Sequence, residues 1–184
     1  YDKLVYVAHG PNSDYRARYN DCILENKFAA AIVSTSQGID FILAGEEMGR
    51  SKDGDENSYK SAATLNMIDW SLVKTNADLV SYYKGLFELR KAFSPFTAND
   101  TQKNGAPYKY FFETSLTGAL NTLADTVQND VEGEWNKIAV VYNGDTTPTT
   151  YTFKGKVDKS INENTEWVII VNDKQAGVTS LGEF

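Results

Sequence analysis

The chain has 184 residues, 41% hydrophobic and 12% aromatic, which is enough for a buried core and excludes a disordered polypeptide. Its formal net charge of −7 works against a polyanionic partner, because phosphate recognition needs clustered Lys and Arg that displace counterions, so no nucleic acid is expected as ligand. Cys22 is the single cysteine, which excludes an intrachain disulfide and, by cysteine count, a Cys-based metal site built from this chain alone.

No run of eighteen apolar residues occurs, so no membrane span is expected. The opening Tyr1-Asp2-Lys3-Leu4 shows neither an initiator Met nor a signal-peptide pattern, which suits a fragment of a longer protein. Over residues 20–35, Leu24, Phe28, Ala31, Ile32 and Thr35 recur at three- and four-residue intervals, which predicts a helix packed through that face. Asn20 and Asp21 offer oxygens to its first amides, and Gly38 suits the left-handed conformation past its end. Residues 39–44 are a short apolar run bounded by glycine, which predicts a buried parallel strand. Residues 45–74 form a long polar loop of the kind that is functional or disordered, and its Tyr59, Leu65, Met67, Ile68 and Trp70 argue for packing and order. A second helix begins at Asn76, with Leu79, Tyr83, Leu86 and Arg90 on one face and Val80 and Phe87 widening it. Ser94-Pro95 ends it, since proline restricts the residue before it and lacks an amide donor.

Beyond Phe96 the period changes from helical to alternating. Residues 108–113, 138–143, 150–154 and 166–172 are short, β-branched and aromatic, and separated by Gly, Asn, Asp and Pro clusters, which predicts an antiparallel sheet or sandwich. The expected fold class is α/β followed by all-β, with residues 1–95 as one domain and 96–184 as the other. Helix, strand, long loop, helix is one repeat of an α/β barrel and leaves strand edges unpaired by itself. Either an N-terminal portion completes the barrel, or the segment has been excised from one.

The string from Ser36-Gln37-Gly38-Ile39 through Ala44-Gly45-Glu46-Glu47-Met48, with Arg50-Ser51-Lys52 and Gly54-Asp55-Glu56-Asn57-Ser58-Tyr59, resembles the last barrel repeat of type I pullulanases in the α-amylase superfamily. The likeness continues through Asn66-Met67-Ile68-Asp69-Trp70 and Tyr83-Lys84-Gly85-Leu86-Phe87-Glu88-Leu89-Arg90-Lys91. Ala139-Val140-Val141-Tyr142-Asn143-Gly144 and Trp167-Val168-Ile169-Ile170-Val171-Asn172 look like that family's C-terminal β-domain. Asp40 departs from the pattern, since such relatives usually carry proline after Gly-Ile. The resemblance implies the last repeats of a (β/α)8 barrel (helix 7, strand 8, loop, helix 8) followed by a C-terminal antiparallel β-sandwich.

Tyr1-Asp2-Lys3-Leu4 is similar to the stretch just after that family's His-Asp-Asn motif, so the catalytic Asp, Glu and Asp would lie upstream of Tyr1 and no catalytic residue is assigned here. The implied parent is a starch-debranching hydrolase cutting α-1,6 linkages, this piece alone being inactive. The implied partners are an α-glucan (pullulan, starch or glycogen) and the N-terminal remainder of the enzyme, and the implied location is extracellular or at a bacterial cell surface. The alternatives are a non-catalytic glucan-binding or structural module, or an isoamylase or α-amylase activity, because bond choice depends on subsites outside this chain.

The loop after strand eight would stand at the mouth of the active site, which makes Arg50, Asp55, Asn57 and Tyr59 candidate sugar contacts; the bland alternative is that they pin the loop itself. Glu46 and Glu47 are unsuited to be a glycosidase pair, because neighbours on a strand point to opposite faces; one carboxylate held by Arg50 or a loop amide is the expectation. His9, in Val7-Ala8-His9-Gly10, reads as a solvated loop histidine. No cofactor is expected and no metal site is assigned, with calcium at residues 53–57 as the weaker alternative to a solvated turn. Trp70 and Trp167 are expected in the core, and Trp135 is expected to be exposed.

Overall fold

The computed structural model describes residues 1–97, 108–113, 122–129, 132–135, 137–148, 150 and 166–183. The predicted helices are present as α2, Asn20–Thr35, and α5, Ala77–Ala92. A helix that the sequence did not suggest, α1, spans Asp2–His9 and buries only Val5. It is only eight residues long and buries a single side chain fully, which gives a periodicity argument little to count. Two one-turn helices, α3 (Ala63–Asn66) and α4 (Leu72–Thr75), interrupt the long loop.

The extents of α2 and α5 match expectation, and so does the face of α5 carrying Leu79, Tyr83, Leu86 and Arg90, whereas the packed face of α2 is shifted, keeping Ala31 and Thr35 but leaving Leu24 outside. In α2 the buried residues are Cys22, Ile23, Asn26, Lys27, Ala30, Ala31, Ser34 and Thr35, while Leu24 is exposed. In α5 they are Leu79, Tyr82, Tyr83, Gly85, Leu86, Leu89 and Arg90, while Phe87 is exposed. The interface carries polar groups that a hydrophobic count discards, and most are paired, Ser34 Oγ being buried without a partner. Tyr83 donates its hydroxyl to Asn26 Oδ1 at 2.8 Å, and Lys27 Nζ reaches Asp78 Oδ2 at 3.0 Å. Burial would raise the Asp78 carboxyl, but hydrogen bonds and charge from Arg18 and Lys27 outweigh it and hold the group at about 2.

Arg90 closes the far end of this interface. Its guanidinium donates to the carbonyls of Ser34 (2.7 Å), Ser36 (2.9 Å), Gly38 and Phe96 (3.1 Å), and meets Asp40 Oδ1 at 3.1 Å. One planar cation thus gathers carbonyls that the end of α2 leaves without amide partners. Gly38 takes a φ of 127°, which turns the chain out of α2 toward this cation. Asp40, the departure from the proline of similar sequences, supplies the counter-charge.

Residues 39–43 are not the buried strand expected. They join no ladder among the described residues, and Ile39 is 97% exposed, Phe41 94% and Leu43 60%, while Ile42 packs on the α2–α5 core. An apolar run becomes a buried strand only where neighbouring strands take its amides and carbonyls, and none of the described strands does so.

The second half contains β1 (Tyr108–Glu113), β2 (Thr122–Asn129) and β3 (Lys137–Asn143), an antiparallel sheet in the order β1-β2-β3. Tyr108 pairs with Asn129, and Thr122 with Asn143. β1 and β3 were legible in the alternating pattern. β2 was not, because Asp125, Gln128 and Asn129 dilute its β propensity. Of the expected strand 166–172 only β4, Val168–Ile169, is formed; it pairs with β5, Gly182–Glu183, and Val171 bridges Ala176. Within the expected strand 150–154, residues 151–154 lie outside the described residues.

Two apolar clusters hold these parts together, and α5 contributes to both. The first joins Ile23, Ala30 and Ala31 to Leu79, Tyr82, Tyr83 and Leu86, with Val171 and Ala176 against it. The second joins Leu89, Phe93, Phe96 and Ile138, with Trp135 and Ile170 packed on it. Gly85 explains why a helix interior carries glycine: a Cβ there would lie 1.8 Å from the Ala176 carbonyl oxygen. The C-terminal segment therefore rests directly on the α5 backbone.

Candidate functional site

The loop of residues 45–74 is ordered by polar contacts rather than by its aromatic residues. Asn66 Nδ2 donates to the carbonyls of Ser58 (2.7 Å) and Ser61 (3.3 Å), and its Oδ1 accepts from Ser58 Oγ at 3.0 Å. Lys52 Nζ donates to the same hydroxyl at 2.7 Å. Met48 is buried beneath the loop, and its carbonyl accepts from Asn76 Nδ2 at 2.8 Å. The rings expected to pack stay outside: Trp70 is 69% exposed and Tyr59 73%.

The four residues expected at a sugar site divide. Arg50 pins the loop through its guanidinium, donating to the carbonyls of Ala44 (3.1 Å) and Asn66. Asp55 accepts from Ser61 Oγ at 2.6 Å and from the Asn57 amide at 2.9 Å, and these bonds hold its carboxyl below the usual range. Asn57 and Tyr59 are exposed, Tyr59 with Lys60 Nζ 5.3 Å from its ring centroid. Glu46 and Glu47 lie in a 3-10 turn and accept loop amides, those of Leu43 (3.3 Å) and Gly45 (2.8 Å) respectively. Asp53 is taken by Arg16, whose Nη2 reaches Oδ2 at 2.7 Å.

Only Asp55 of those four lines the cleft beside the loop, a volume of about 200 Å³ walled by Asp2, Lys3, Tyr6, Tyr15, Gly54, Asp55 and Glu56. Asp2 sits in the first turn of α1 and accepts the amides of Lys52 (2.8 Å) and Gly54 (3.0 Å) through Oδ2. Its Oδ1 is buried without a hydrogen-bond partner. Two tyrosine rings beside carboxylate acceptors on the cleft wall suit a neutral ligand with hydroxyl groups. Asp2, Asp55 and Glu56 together disfavour an anion. Sequence reasoning missed Asp2 and Tyr15, because the contact joins α1 to a loop some fifty positions away and no motif marks it.

Two corrections concern single residues. His9 is exposed, as expected, but is the last residue of α1 rather than part of a loop: it stacks on Tyr19 with ring centroids 4.0 Å apart and meets Asp21 at 2.9 Å. Two of the three tryptophans depart from expectation, with Trp135 half-buried against the Phe93–Phe96 cluster and Trp70 exposed, while Trp167 is half-buried.

The chain is similar in sequence and in fold to parts of known pullulanases. No family model matches it. Among curated relatives, the chain is 41% identical over 107 residues to the pullulanase of Bacillus subtilis (strain 168), a match covering 56% of this chain and 14% of that protein. Among solved structures, pullulanase from Bacillus acidopullulyticus superimposes with a TM-score of 0.73 at 30% identity, covering 98% of this chain and 20% of that one. A pullulanase from Anoxybacillus sp. LM18-11, complexed with maltotetraose, gives a TM-score of 0.59 at 31% identity over 77% of this chain and 19% of that one. The chain thus spans about a seventh to a fifth of these three proteins. Among the described residues, no helix is long and apolar enough to cross a membrane.

Proposed function

We propose that this chain is the part of a starch-debranching hydrolase that follows its catalytic carboxylates, and that the parent enzyme cleaves α-1,6 linkages in pullulan, starch or glycogen. On this reading residues 1–95 are the last elements of a (β/α)8 barrel and residues 96–184 a C-terminal β-sandwich. The observation that carries it is the apolar run 39–43, with Ile39, Phe41 and Leu43 in water and no ladder partner among the described residues. A barrel strand deprived of its neighbours would look this way, and the near-complete superposition on a fifth of a pullulanase supports the same reading.

The N-terminal remainder supplies the missing strands and the reactive Asp, Glu and Asp. Asn57 and Tyr59, with the Asp2–Asp55 cleft, offer the glucan hydroxyl acceptors and an aromatic face, and Arg50 holds the loop that presents them. A pullulanase bound to maltotetraose supports glucan as the ligand class. The enzyme works outside the cell or at a bacterial surface, because granular starch does not enter cells. The 184-residue chain incubated alone with pullulan releases no reducing ends above background; release at a rate comparable to an intact pullulanase overturns the proposal.

A further inference from the structure

The ends of α1 and α2 meet at a group of side chains that the debranching reading does not use. His9 Nε2 lies 2.9 Å from Asp21 Oδ2 and 3.2 Å from Oδ1, and the ligand atoms of His9, Asp21 and Cys22 all fall within 4.8 Å of one another. We propose that His9, Asp21 and Cys22 bind a tetrahedral divalent transition-metal ion of the zinc type, with water as the fourth ligand.

The donor set is imidazole nitrogen, carboxylate oxygen and thiolate sulfur, which together suit Zn²⁺ better than a hard cation such as Ca²⁺. Two of the three groups are already oriented. The His9 ring is stacked on Tyr19 at an interplanar angle of 24°, and Asp21 Oδ1 accepts the Cys22 amide at 2.9 Å. Support of this kind around a ligand fixes its direction before the ion arrives. A His9–Asp21 ion pair accounts for two of the groups, and the thiol is the third donor that such a pair does not need.

Binding has to displace the thiol proton, because burial, then the negative charges of Asp21 and Glu25, push the Cys22 thiol up and oppose its ionisation in the free protein. A divalent cation reverses that environment: the Cys22 S–H bond breaks, the proton goes to solvent and a metal–sulfur bond forms, with no change of oxidation state. His9 then turns its nitrogen lone pair to the ion in place of its contact with Asp21. Cysteine counting from the sequence had excluded a Cys-based site because it asked for several cysteines, whereas the fold supplies His9 and Asp21 from two helices.

The test is titration of the full 184-residue chain with Zn²⁺ in competition with a chromophoric chelator, and with Co²⁺ as a spectroscopic substitute. The expected result is a single ion per chain, a thiolate-to-cobalt charge-transfer band, and release of a proton on binding. Cys22→Ser and His9→Gln should each weaken binding by about tenfold or more. His9 is exposed, so its variant reports on the ion even where loss of the buried thiol disturbs folding, and circular dichroism checks both. A cobalt spectrum without the charge-transfer band, or a folded His9→Gln variant that binds Zn²⁺ as tightly as the parent, overturns the proposal. Neither outcome bears on glucan hydrolysis.

Discussion

Residues 39–43 and helix α5 carry similar apolar side chains, yet one run lies in water and the other is the spine of the molecule. Ile39, Phe41 and Leu43 are exposed, whereas Leu79, Leu86 and Leu89 are wholly buried. The difference lies in the backbone. A helix satisfies its own amides and carbonyls, so α5 needs only a partner for its side chains and finds one in α2. An extended run must borrow hydrogen bonds from neighbouring strands, and without them its apolar side chains have no surface to cover. Hydrophobic sequence therefore states a demand for burial, and secondary structure decides whether the chain can meet it unaided.

Breaking the buried side of this comparison should cost most at Arg90. Arg90→Ala removes the donor to four carbonyls and leaves Asp40 without its cation, so a loss of about 3–5 kcal/mol in unfolding free energy is expected by urea denaturation. A variant within about 0.5 kcal/mol of the parent would show that the cation is not what closes the α2–α5 end. Gly85→Ala comes next. In an exposed helix it would add up to about 1 kcal/mol of stability. Here the new methyl meets the Ala176 carbonyl, and a loss of about 1–3 kcal/mol is expected from the shift of the transition midpoint. Phe41→Ser tests the exposed side. It should change the stability of this chain by less than about 0.5 kcal/mol, because the ring it removes already stands in water. The same substitution in a chain that includes the rest of the barrel should be strongly destabilising, and equal effects in the two contexts would erase the contrast.

Much of the secondary structure was legible in the sequence. The extents of α2 and α5 follow from period and punctuation, and β1 and β3 from alternation. What sequence misplaced was part of the packed face of α2, whereas the face expected for α5 is the one that is buried. On α2 the packed side includes Asn26, Lys27 and Ser34, whose partners Tyr83, Asp78 and Arg90 sit on a helix more than fifty positions away, so hydropathy pointed to Leu24 instead. Trp70 and Trp135 fail for the same reason, since local neighbours say little about which surface a ring will meet. At the candidate site the loop was recognisable from its motif, but Asp2 was not, because its role depends on amides contributed by Lys52 and Gly54. Arg50 shows the converse: the motif marked it as a candidate sugar contact, and its guanidinium donates to the loop carbonyls of Ala44 and Asn66.

The cluster of Phe93, Phe96 and Ile138 has one further bearing on how this chain comes apart. It sits at the junction where composition marks a boundary, with two fully buried rings from the helical side wedged against the sheet. A protease nicking the chain beyond residue 97 would therefore sever the covalent link without freeing the pieces, which would migrate together until a denaturant loosened the grip. The seam between the two halves behaves as a clasp rather than a tether.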